Sequence, residues 1–248
     1  MVKKYSICCM KKYVSIYLIV QILFFLAIKI VDFSSNQLLI GLMKFSFIVV
    51  NVCSSLVFYL IYGKKTEVRN NLISLAVCLT IFGDLFLILI PTFSNWPYSD
   101  LGGYISFSVV EFIIACHLGF SKKSISFLSL WFVAIFLVIW KIGLLNLENG
   151  IALINLSLLS SNCLFGWIRY SKCKSLSNLL FAIGITSFFG CDYSIAMRII
   201  FADYKTVSYV FNQFVWFFYV PAHILLVLSR IESRKNLTQR DSVTQVKI

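Results

Sequence analysis

Three carboxylic acids stand inside long apolar stretches of this chain: Asp84, Glu111 and Asp192. A carboxylate near mid-bilayer costs about 2.5–3.5 kcal/mol on insertion scales, so each must be satisfied in a protein interior or a wet cavity and is a candidate for chemistry. Thr80 lies one turn before Asp84, and Gly83 beside it leaves room for another backbone or a ligand. Tyr104, Ser108 and Glu111 recur at i, i+4 and i+7 and share one helix face. Asp192 follows Gly190 and Cys191 and shares its face with Phe188 and Ile195. Two carboxyls, one keeping its proton and one ionised, equip a site for acid-assisted hydrolysis through an oxocarbenium-like state. The same three acids could instead relay protons in a carrier or channel.

Counter-charges and neutral donors fall at compatible depth. Counting about 1.5 Å per residue from the outer helix ends, Asp84 lies roughly 10 Å deep, Glu111 roughly 12 Å and Asp192 roughly 15 Å. Lys44 in the second apolar segment and Arg198 near the end of the seventh share that outer half, and Asn212 and Gln213 add hydrogen-bonding capacity there. A purely structural alternative is a buried salt-bridge network in a non-catalytic scaffold. The two histidines, His117 and His223, differ by about 6 Å in expected depth, which argues against a bis-histidine haem. Neither accompanies a G-x-S-x-G elbow, and the seventh segment holds no lysine for a Schiff base. The eight cysteines form no C-x-x-C pair, so neither a metal site nor a disulfide framework is expected, and no cofactor is implied.

The elements that must position these residues follow from composition. At 248 residues, 60% hydrophobic and only 13% charged, the chain is too apolar for an ordinary soluble domain. Its apolar residues come in blocks of roughly twenty, the length of a membrane span. Eight spans are predicted, at 13–31, 38–62, 71–91, 103–120, 126–145, 149–170, 177–202 and 206–229. The expected architecture is an all-α polytopic bundle, with a basic N-terminus at 1–12, a transmembrane domain at 13–230 and a polar tail at 231–248. All but five of the 22 Lys and Arg residues fall in the termini and in alternate loops; the exceptions are Lys29, Lys44, Lys141, Arg198 and Lys205. By the positive-inside rule both termini are expected in the cytoplasm. The net charge of +12 is thereby accounted for by topology and anionic headgroups. Nucleic acid is not an expected partner, because no aromatic-interleaved basic patch exists. "IFGDLFL" around Asp84 echoes in "FFGCDYSI" around Asp192 four spans later, the pattern of a parallel four-helix duplication.

"FGDLFL" with Asp84, the glycine-containing start of the next span and its Phe107-to-Glu111 step together resemble the YhhN-like lysoplasmalogenase family of multi-pass membrane hydrolases. "AIGITSFFGCDYSIAM" is similar to that family's helix bearing a second aspartate, "YVPAH" from Tyr219 to His223 to its closing signature, and Lys44 to the lysine of its second helix. Phe45, Glu111, Cys191 and His223 depart from the family pattern at proline, histidine, serine and glutamine positions respectively. The resemblance implies cofactor-free hydrolysis of the vinyl ether bond of lysoplasmalogens to a fatty aldehyde and a glycerophospho-alcohol. It makes Asp84 and Asp192 the catalytic pair, with interchangeable roles, Glu111 and His223 tuning them or positioning water, Lys44 or Arg198 binding the phosphate and Tyr219 in the closing signature; Thr80, Tyr104, Ser108 and Asn212 are expected in the same pocket from their helix faces and depth. The implied partners are a lysophospholipid substrate and membrane lipids, in a bacterial inner or plasma membrane or in the endoplasmic reticulum of a eukaryote.

Overall fold

The computed structural model describes the backbone of residues 2–32, 36–62, 68–119, 122–141, 143, 146–201 and 203–245, and side chains over a narrower set that omits 1–11, 61–70, 120–124 and 231–248. Every regular element among the described residues is helical: α1 (Val2–Val31), α2 (Gln37–Tyr62), α3 (Val68–Asp84), a π-helical turn (Leu85–Leu89), α4 (Ile90–Phe93), α5 (Ser99–Leu118), α6 (Lys122–Lys141), α7 (Leu147–Lys172), α8 (Leu176–Ile200) and α9 (Lys205–Gln245). In lipid each backbone N–H and C=O must find a partner within its own segment, which is why apolar blocks of this length become helices.

Among the described residues, seven segments are long and apolar enough to cross a membrane: Lys12–Val31, Gln37–Leu60, Asn71–Phe93, Ser99–Leu118, Leu147–Lys172, Leu176–Ile200 and Lys205–Arg230. The remaining expected span is α6, whose apolar part Ile125–Lys141 is shorter, near the roughly 17-residue lower limit for a crossing. It ends about four residues earlier than hydropathy predicts, because Gly143, at φ 73°, takes a left-handed conformation that helices cannot continue. The segment at 231–248, expected as a polar tail, continues α9 as helix to Gln245. The basic residues Lys3, Lys4, Lys11, Lys64, Lys65, Arg69, Lys122, Lys123, Arg234, Lys235, Arg240 and Lys247 lie outside the described side chains.

Six helices form a ring in the order α2, α3, α5, α7, α8, α9, closed by α9 packing on α2 and α3, with α1 set against α2 and α6 against α7. Advancing by four spans carries this ring onto itself, the neighbour order that a parallel duplication would leave. Phe47, Ile73, Ile114, Leu159, Ile185 and Leu226 fill the interior, whereas Ile19, Leu23, Ile30, Leu130, Val138 and Trp140 face outward. Lipid is as apolar as this core, so small residues and polar contacts, more than amphipathicity, set which faces meet. Tyr17 Oη donates to Asn51 Oδ1 at 2.8 Å, and Asn51 Nδ2 donates to Gln21 Oε1 at 3.2 Å, clipping α1 to α2.

Two features shape the third crossing. Pro91 has no N–H, and its ring opposes the carbonyl of Leu87, so an ordinary α-turn cannot run through the stretch before it. The chain answers with a π-turn, in which the Ile90 N–H reaches back to the Leu85 carbonyl. Gly83, meanwhile, lets α3 approach α5 so closely that a Cβ there would lie 2.5 Å from the Phe107 ring. The room that Gly83 was expected to leave for a ligand is filled by that ring. Gly83→Ala should therefore destabilise the bundle by roughly 1–3 kcal/mol through overpacking, read as a lower thermal midpoint in detergent; an unchanged midpoint would show that Phe107 swings aside freely.

Candidate functional site

Asp84 is the last residue of α3, at the mouth of the π-turn, and π-turns inside helices are frequent at functional sites. Its Oδ2 accepts a hydrogen bond of 2.5 Å from the Tyr219 hydroxyl of α9. Both side chains are buried. Tyr219 is held by aromatic edges, with Phe188 at 5.5 Å, Trp216 at 5.4 Å and His223 at 4.6 Å between ring centroids. Pro221 lies between Tyr219 and His223 inside α9, and its missing N–H loosens the helix where these two rings project.

Asp192 stands on α8. Tyr219 and Cys191 each lie within electrostatic reach of both Asp84 and Asp192. Tyr219 and Cys191 are thus the groups that the two aspartates have in common. The aspartates differ in surroundings: Asp84 is 3% exposed, while Asp192 is only partly buried and accepts a 2.9 Å bond from Asn155 Nδ2. Glu111, also 3% exposed, lies within electrostatic reach of Asp192. Asn162 Nδ2 donates to its Oε2 and to its backbone carbonyl, both at 2.8 Å. One and the same shift along the chain carries Asp84 onto Asp192 and Glu111 onto Tyr219. That common shift, relating Asp84 and Tyr219 to Asp192 and Glu111, is the spacing a parallel four-helix duplication would leave.

The asparagines belong to a longer pattern. Asn155, Asn162 and Arg169 recur every seven residues on α7 and engage Asp192, Glu111 and His117 in turn, the last through Arg169 Nη1 at 2.8 Å from His117 Nε2. At about 10 Å between rungs, this ladder runs from the carboxylates towards the opposite end of the helix. Sequence reasoning missed Asn155 and Asn162, although heptad-spaced asparagine in an apolar span was a signal available to it.

Other expected site residues fall as follows. Lys44 and Arg198, expected as counter-charges for the buried acids, do not pair with them: Lys44 Nζ lies 2.8 Å from Asp32 Oδ1, and Arg198 Nη1 donates to Asn212 Oδ1 at 3.1 Å. The reason is position, since Lys44 sits opposite the end of α1 and Arg198 is exposed at the α8–α9 corner. Thr80 is buried and donates to its own helix at Val77 O, 2.8 Å away. Ser108 likewise donates to Tyr104 O at 2.9 Å. Tyr104 is half-buried and within electrostatic reach of Asp192. His223 is 0% exposed, packed by Phe47 and Phe188 as well as Tyr219, and its ring nitrogens have no hydrogen-bond partner among the described residues. Among those residues no group of three or more His, Cys, Asp or Glu side chains is placed to hold a metal ion.

Fold and site together define a multi-pass helical membrane protein with carboxylates gathered inside its ring of helices. No protein-family model, curated protein or solved structure matches the chain.

Proposed function

We propose that this protein is an integral membrane lipid hydrolase of the lysoplasmalogenase type, cleaving the vinyl ether bond of a lysoplasmalogen. Tyr219, whose hydroxyl donates to Asp84 and which also lies within electrostatic reach of Asp192, supports this reading. Vinyl ethers hydrolyse by slow protonation of carbon, which needs a positioned acid and a nearby anion. Asp192 gives its proton to the outer alkenyl carbon. The resulting oxocarbenium ion is stabilised by Asp84, itself oriented by Tyr219. Water adds to the cationic carbon and returns a proton to Asp192. The hemiacetal then breaks its C–O bond to release a fatty aldehyde and the glycerophospho-alcohol.

The test is incubation of detergent-purified protein with 1-alkenyl and 1-acyl lysophospholipids. Aldehyde from the alkenyl lipid is expected, and in D2O the promptly trapped aldehyde should carry one deuterium on the carbon next to the carbonyl. Absence of turnover by folded protein would defeat the reading.

The α7 ladder favours a second reading, a proton-coupled carrier using Asp84, Glu111 and Asp192, since it extends polar groups well past the site. Proteoliposomes would then show solute uptake driven by a pH gradient and abolished by Glu111→Gln, with no aldehyde formed.

A further inference from the structure

Away from the carboxylates, where α1, α2 and α9 come together, two ammonium groups share one acid. Lys44 Nζ pairs with Asp32, the side chains being 12% and 9% exposed, and also lies 5.0 Å over the Trp216 ring. Lys29 Nζ is held instead by neutral acceptors, Gln213 Oε1 at 2.9 Å and the Gln213 carbonyl at 3.3 Å, within electrostatic reach of both Asp32 and Lys44. This cluster of two lysines and one aspartate carries one positive charge beyond its acid. Keeping a surplus cation half-buried at the edge of an apolar bundle is costly unless an anion joins it. A phosphodiester carries the single negative charge that balances it, and an ammonium group binds phosphate as a compact point charge.

The cluster is tied to the carboxylates through one face of α9. Gln213, Trp216 and Tyr219 recur every three residues and follow one inclined ridge of α9, each turned about 60° from the last. Lys44 caps Trp216, Trp216 touches Tyr219 at 5.4 Å, and Tyr219 bonds Asp84. The rise from Gln213 to Tyr219 is about 9 Å. A glycerophosphate spans roughly 6 Å from phosphorus to its sn-1 oxygen by ordinary bond lengths, and the lysine side chains cover the remainder. We propose that Lys29 and Lys44 bind the phosphate of a lysophospholipid whose sn-1 ether then lies at Asp84 and Tyr219. The assignment rests on the lipid-hydrolase reading for its orientation, but binding can be read without turnover.

The experiment titrates purified protein with three probes while following tryptophan fluorescence: a non-cleavable 1-O-alkyl lysophosphoethanolamine, the matching 1-O-alkylglycerol without phosphate, and inorganic phosphate. The phospholipid should bind at least about tenfold more tightly than the alkylglycerol. Lys29→Gln and Lys44→Gln should each weaken phospholipid binding about tenfold, equivalent to 1.4 kcal/mol, and leave the alkylglycerol unaffected. Lys44→Arg should restore most of the loss, and Lys205→Gln, at an exposed lysine at the start of α9, should change nothing. Should Lys44→Gln fail to fold because Asp32 loses its partner, Lys29→Gln, which leaves the Lys44–Asp32 pair in place and the cluster without surplus charge, carries the expectation. Inorganic phosphate should compete with the phospholipid in the parent and not in the lysine variants. Equal weakening of both lipids, no weakening of either, or phosphate competition that survives both lysine variants would overturn the assignment. A protein that binds as described yet releases no aldehyde would sink the hydrolase reading while leaving the phosphate site standing.

Discussion

Asp84→Asn and Asp192→Asn should each cut aldehyde release by about a thousandfold, the scale on which a positioned acid or base contributes to a proton transfer. Asparagine nearly matches aspartate in volume, so both variants should fold and elute as the parent does. The two losses should not add in the double variant, because the proton donor and the stabilising anion serve one transition state. The partners add a finer expectation. With Asn155 donating to Asp192, Asn at 192 can turn its own amide and keep that contact through its carbonyl. At 84 the Tyr219 hydroxyl can do the same with the new amide oxygen. Structure is thus preserved while the exchangeable proton and the charge are lost. Full activity in either variant, measured as aldehyde from the alkenyl lysolipid, would remove that residue from the chemistry; a non-catalytic scaffold would tolerate both.

Tyr219→Phe should have the second largest effect, roughly ten- to a hundredfold on kcat with KM little changed. The ring stays wedged among Phe188, Trp216 and His223, so packing is retained and one charge-assisted hydrogen bond to Asp84 is lost, a contribution of about 1.5–3 kcal/mol. In the proposed mechanism that bond steadies the anion facing the oxocarbenium ion, so its loss belongs to the chemical step and not to substrate capture. A purely structural tyrosine would instead give a lower melting temperature with kcat intact. His223→Gln, which restores the residue type expected from the family resemblance, should keep activity within a few-fold, and His223→Leu provides the apolar comparison.

Much of this arrangement can be read from the chain, and the limits have physical causes. Hydropathy locates the crossings within a few residues because satisfying the backbone in lipid leaves helix as the only option. Asp84 and Asp192 stand out because charge inside a span is costly wherever it occurs. Partner choice is another matter. Lys44 has the right depth to meet the buried acids yet pairs with Asp32, because depth along one helix says nothing about which neighbour it faces. Asn155 and Asn162 carry no charge to single them out and Lys29 stands near a span end, where lysine is ordinary; their roles follow from the α5–α7–α8 and α1–α9 contacts that only the assembled ring creates. The Tyr219–Asp84 contact joins the first half to the last helix across 135 residues. The motif around Tyr219 marks it as a site residue but does not say which aspartate it serves.

The widened turn after Asp84 also splits the third crossing into two halves that are aimed separately. One additional residue per turn rotates everything downstream by about 100° relative to an uninterrupted helix. The part up to Asp84 is indexed by its grip on α5 and Tyr219, and the part beyond by Thr92 seated in the notch that Gly41 leaves on α2. Deleting a single leucine from 85–89 would re-phase the far half while leaving the carboxylate in place. The bulge thus acts as a coupling that lets a lineage reshape the rim of the bundle without disturbing its centre.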